Sequence, residues 1–87
     1  MKCSTNPVVC VGCSANEFTA NNGKTYPYYR AVFVADGAPL ELTVTAEVAN
    51  ELAGALSEFN GVVALNGLIL DVAQRQKLKV KVIGLVR

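Results

Sequence analysis

Helical periodicity is confined to one stretch of this chain, and that confinement restricts the fold more than any other feature. From Ala46 to about Glu58, Val48, Leu52 and Leu56 fall four residues apart, and Ala49, Ala53 and Ala55 widen the apolar stripe. Thr45 stands where an N-cap would, and Glu47 falls in the first turn, where a negative charge suits the helix dipole. Gly54 weakens such a helix by about 1 kcal/mol relative to alanine without forbidding it. Phe59-Asn60-Gly61 closes it. Everywhere else the apolar residues alternate with period two or run together over short spans, which is the habit of strands.

Five such spans are legible. Pro7 to Ser14 is short, apolar and β-branched, and reads as a first strand continuing irregularly to Thr19. After the turn signal Asn21-Asn22-Gly23, Tyr26 to Ala35 reads as the second. Tyr28, Arg30, Val32 and Val34 share one of its faces, and Tyr29, Ala31, Phe33 and Ala35 the other. Asp36-Gly37-Ala38-Pro39 marks a hairpin turn into a third strand, Leu40 to Thr45. Val62 to Leu70 is the fourth, apolar on both faces. Lys77 to Val86 is the fifth, with Leu78, Val80 and Val82 inward and Lys77, Lys79 and Lys81 as a ladder outside.

Three strands, one helix and two strands is the order of the OB-fold, whose binding face is centred on its second and third strands. The expected fold is therefore mainly β: a five-stranded OB-fold-like Greek-key barrel with one helix between strands 3 and 4, in a single domain over residues 1–87. The alternative is an α+β sandwich with the helix covering one face of an open antiparallel sheet.

Composition bears on partners. Hydrophobic residues make up 52% of 87 residues against 17% charged. So small a domain hides that much apolar surface with difficulty, and self-association into a homodimer or higher homo-oligomer is expected. The doubly apolar fourth strand points the same way. No apolar run approaches the length of a membrane span and no signal peptide is evident, so no membrane partner and a cytoplasmic location are expected. The net charge of +1 hides a partition. Residues Ala31 to Gln74 hold no Lys or Arg but six of the seven acids, whereas Val72 to Arg87 carry five cations and no acid. A basic stripe on one face is compatible with this, provided the basic segments meet.

The segment Asn22-Gly23-Lys24-Thr25-Tyr26-Pro27-Tyr28-Tyr29-Arg30 holds all three tyrosines, interleaved with Lys24 and Arg30. Rings stack on the π-face of any base while cations track the phosphates, a combination suited to sequence-tolerant single-strand binding. The plainer account is a hairpin leading into an ordinary strand, where tyrosine is common anyway. Gly23-Lys24-Thr25-Tyr26, Asp36-Gly37 at the next hairpin and the basic-apolar alternation before Leu85-Val86 resemble the gene V class of filamentous-phage single-stranded DNA-binding proteins. The resemblance implies an OB-type barrel acting as a dimer, Tyr26 stacking on a base and Lys24 holding a phosphate. The nucleic-acid-binding set is then Lys24, Tyr26, Tyr28, Arg30, Arg75, Lys77, Lys79 and Lys81, and the partner single-stranded DNA, with RNA left open. Alternation allows only one of Tyr28 and Tyr29 on the binding side, and Arg30 goes with Tyr28.

Cys10-Val11-Gly12-Cys13 has the spacing of zinc and redox motifs, yet with Cys3 the chain offers only three cysteines and no histidine. In a regular strand Cys10 and Cys13 point to opposite faces. Buried small hydrophobes in a reducing compartment are the expectation, with no metal and no cofactor. No phosphate loop, serine elbow or ligand cluster is present, so a non-enzyme is expected. Two functions remain open: a single-stranded DNA-binding protein, or a small β-barrel structural or protein-interaction module.

Overall fold

The computed structural model describes residues 1–74 and 78–86. Its elements are β1 (Lys2–Ser4), β2 (Val8–Thr19), β3 (Thr25–Ala35), β4 (Ala38–Val44), α1 (Ala46–Glu58), β5 (Val63–Leu65), β6 (Gly67–Gln74) and β7 (Leu78–Val86). The described residues are mainly β, with one helix where the periodicity placed it. Thr45 caps that helix, its Oγ1 accepting from Val48 N at 3.3 Å, and its own N–H donates to Val82 O at 3.1 Å. The helix start is thereby tied to β7. Past Phe59, Asn60 and Gly61 both take positive φ, and Gly61 N donates back to Leu56 O at 2.7 Å, a glycine-type stop.

The strands form one mixed sheet in the order β1-β6-β7-β4-β3-β2-β5. All pairs are antiparallel except β4 with β7, which meet in parallel at Thr43↔Lys81 and Val44↔Val82. Asp36 and Gly37, at φ 52° and 78°, make the two-residue turn between β3 and β4. Phe33, Leu52, Leu68, Val44, Val82 and Cys10 are the largest fully buried side chains, between the inner face of the sheet and the Val48, Ala49, Leu52 and Ala55 face of α1. The odd-numbered side of β3 thus faces the core, and the Tyr28 and Arg30 side faces out.

Two expectations need correction. Among the described residues the sheet has seven strands rather than five and does not close into a barrel. The N-terminal residues add β1 along β6 (Lys2↔Asp71, Cys3↔Leu70, Ser4↔Ile69), so β6 lies between β1 and β7. Only Val63–Leu65 of the expected fourth strand pairs with β2. The break falls at Asn66, whose N–H donates to Val86 O at 2.8 Å, while Leu68 exchanges two bonds with Thr5. Gly67 has no room for a side chain: a Cβ there would lie 2.5 Å from Thr5 O. The break also explains the doubly apolar pattern. It shifts the alternation, so Val63, Leu65 and Leu68 are all buried and Leu70 packs against the core.

The second correction concerns the cysteines. Cys10 pairs with Phe33 but Gly12 with Val32 and Cys13 with Ala31, leaving Val11 as an extra residue in a β-bulge. Cys10 and Cys13 therefore share the inner face instead of opposite ones. Burial pushes both thiols up, away from the reactive thiolate. At Cys10 a backbone hydrogen bond with Gly12 partly opposes that effect and nearby Cys13 adds to it. Among the described residues no group of three or more His, Cys, Asp or Glu is placed to hold a metal ion, and no helix is long and apolar enough to cross a membrane.

Candidate nucleic-acid interface

β2 and β3 run past the body of the sheet as a two-stranded arm. β5 leaves β2 at Cys10 and β4 reaches only to Tyr29, so the residues beyond are largely exposed on both sides. The tip is a tight turn: Gly23 N donates to Ala20 O and Ala20 N to Lys24 O, each at 2.9 Å. Asn22 Oδ1 accepts from Lys24 N at 3.0 Å, and Gly23 supplies the positive φ of 81°. The register this turn sets puts Phe18 opposite Tyr26, Asn16 opposite Tyr28 and Ser14 opposite Arg30, all on the outer face.

The three rings of that face are exposed: Phe18 57%, Tyr26 47% and Tyr28 37%. With Glu17, Pro27, Arg30 and Thr43 they line a depression of about 420 Å³. A second depression, of about 650 Å³, is lined by Arg30, Thr43, Asp71, Ala73, Lys79, Val80 and Lys81. Arg30 and Thr43 belong to both, so an aromatic surface and a basic one adjoin at those two residues. The register explains the junction. Ser14, Arg30, Thr43, Lys81, Asp71 and Lys2 are successive cross-strand neighbours from β2 to β1, and opposite residues share a face.

The charges along this row are partly compensated. Arg30 Nε lies 2.8 Å from Glu41 Oε1, with both side chains roughly half exposed. The Nε atom itself is closed to solvent, and its N–H is not aligned as a hydrogen bond, so the contact is ionic rather than directed. The N-terminal amine lies 3.6 Å from Asp71 Oδ1. Lys79 and Lys81 are exposed and have no ion pair among the described residues.

Of the residues singled out in the sequence, Tyr26, Tyr28, Arg30, Lys79 and Lys81 come together on this surface. Lys24 does not: it is exposed at the tip of the arm and lines neither depression. Tyr29 faces the other way, packed against the core. Arg75 and Lys77 lie outside the described residues. Phe18, Thr43 and Glu41 were not singled out. Phe18 had a signal, since strands folding back about Asn22 bring residues 18 and 26 opposite each other. Comparison with protein-family models, with curated proteins and with solved structures finds no match to this chain.

Proposed function

We propose that the protein is a non-catalytic, sequence-tolerant single-stranded DNA-binding protein that protects single strands during replication. The observation that carries this is the shared border of the two depressions: exposed rings of Phe18, Tyr26 and Tyr28 on one side, Lys79 and Lys81 on the other, Arg30 between. Bases stack on the arm while the phosphates face the β7 cations. An OB-type architecture is part of the proposal. Its support is the neighbour order β2-β3-β4-β7-β6, the parallel β4–β7 pair and the return of β5 to β2, with β1 and the Asn66 break as additions.

Poly(dT) titrated against tyrosine fluorescence at several salt concentrations tests the reading. Log affinity should fall linearly with log salt, by about 0.7 per phosphate contact. Replacing Lys79 and Lys81 together by glutamine should flatten the slope by about 1.4 if each holds one phosphate. An unchanged slope makes the two lysines a solvated outer face of β7 and nothing more.

A protein-interaction role is the second reading, and one observation favours it. At the end of the outer face away from the arm, Ala64, Val9, Val34 and Pro39 form an apolar row across β5, β2, β3 and β4. We propose that this row is a contact between two copies, so sedimentation at micromolar concentration should give a mass above the 9.2 kDa of one chain. A species of one chain's mass at that concentration removes the dimer.

A further inference from the structure

We propose that Glu41 is a positioning residue, holding the Arg30 guanidinium so that its two Nη groups face a bound phosphate; the proposal rests on the single-strand reading above. Arg30 is the charged side chain common to both depressions, at the point where a strand stacked on the arm would have to turn toward Lys79 and Lys81. A guanidinium serves there only if its fork is correctly turned, because bidentate recognition of an anion needs two adjacent N–H groups in one plane. Thr43 pairs with Arg30 and Glu41 with Val32, so Glu41 sits two residues along β4 on the same outer face, diagonal to Arg30. Its Oε1 lies 2.8 Å from Nε, and that nitrogen is shut away from water. Nε thus lies against the Glu41 carboxylate of β4, and in the proposed arrangement the two Nη groups are the ones that meet the ligand. Because the contact is ionic and not an aligned hydrogen bond, a glutamine of the same shape would not reproduce it.

The carboxylate also has an opposing effect, since its charge repels phosphates. Salt separates the two. At 0.3 M the Debye length is below about 8 Å, and repulsion from a half-exposed carboxylate is largely screened. The ordering of a long side chain before binding is not screened, and leaving it to be done on binding weakens affinity by about two- to tenfold. Charge counting alone says that Glu41→Gln binds more tightly, whereas positioning says that it binds more weakly.

The full chain, Glu41→Gln, Arg30→Gln and the double variant are titrated with poly(dT) at 0.3 M salt, with melting temperatures taken in parallel. The expected result is about threefold weaker binding for Glu41→Gln, an unchanged melting temperature, and no further loss when Glu41→Gln is added to Arg30→Gln. Glu41→Gln binding as tightly as the parent, or more tightly, overturns the proposal. An equal loss in both backgrounds also overturns it, because the carboxylate then acts without Arg30. Arg30→Gln binding like the parent removes the positioning role while leaving the function standing. A parent that does not bind poly(dT) at any salt concentration removes both.

Discussion

Replacing Phe33 by alanine should cost about 3–5 kcal/mol of stability. The ring is 1% exposed, on the inner face of β3 beside Cys10 of β2 and Leu40 of β4 in register, and belongs to the cluster that includes Leu52 of α1. Truncation would leave a cavity bounded by several elements, and the closely packed strands and helix around it have little freedom to collapse inward. For a domain of this size total stability is about 4–13 kcal/mol, so the variant should be near its folding threshold. Urea unfolding followed by circular dichroism reads the effect as a lowered midpoint with an unchanged slope. A loss under about 1 kcal/mol would mean that Phe33 is not at the centre of the core.

Tyr26→Ala should behave in the opposite way, leaving folding alone and weakening poly(dT) binding by roughly 1–3 kcal/mol. Tyr26 lies on the arm, opposite Phe18 and outside the buried cluster. Its cross-strand partnership with Phe18 is worth about 0.2–1 kcal/mol locally, in a segment that contributes little to the global transition. Tyr26→Phe keeps the π-surface and should bind almost as the parent does. Fluorescence from the remaining tyrosines reports binding, and a thermal scan reports stability. If Tyr26→Ala lowers the melting temperature by several degrees, the ring is a structural one. If it binds like the parent, the stacking surface lies elsewhere.

The helix and the strand faces were legible because each rests on a local period. Thr45, Val48 and Leu52 announce a capped amphipathic helix within eight residues, and Phe33 and Tyr28 fall on opposite sides of β3 by simple alternation. Where residues distant in sequence decide, legibility fails. β1 forms only because Lys2–Ser4 finds β6, some seventy residues away. Asn66-Gly67 is a local break signal inside Val62 to Leu70, but the phase shift that follows is set at a distance, by the bond to Val86 and the close approach of Thr5. The Arg30–Glu41 contact likewise depends on the β3–β4 register rather than on either residue's neighbours. The Gly23-Lys24-Thr25-Tyr26 segment was legible as a turn, but its two candidate side chains part company: Tyr26 lines the aromatic depression and Lys24 stays at the tip.

The unpaired Val11 gives β2 one residue of slack. Were it missing, Cys10, Gly12 and Cys13 would oppose Phe33, Val32 and Ala31 in an unbroken ladder, and every side chain beyond would keep its present face. A single residue lost further along the strand could be absorbed by smoothing out the bulge, with only the residues between Val11 and the gap changing sides. Phe18 would still arrive opposite Tyr26. β3 carries no such spare residue along this pairing, so a deletion within it displaces the arm's rings from one another. Chain length in the two halves of the hairpin is therefore under unequal constraint, loose in the strand that carries Phe18 and strict in the strand that carries the tyrosines.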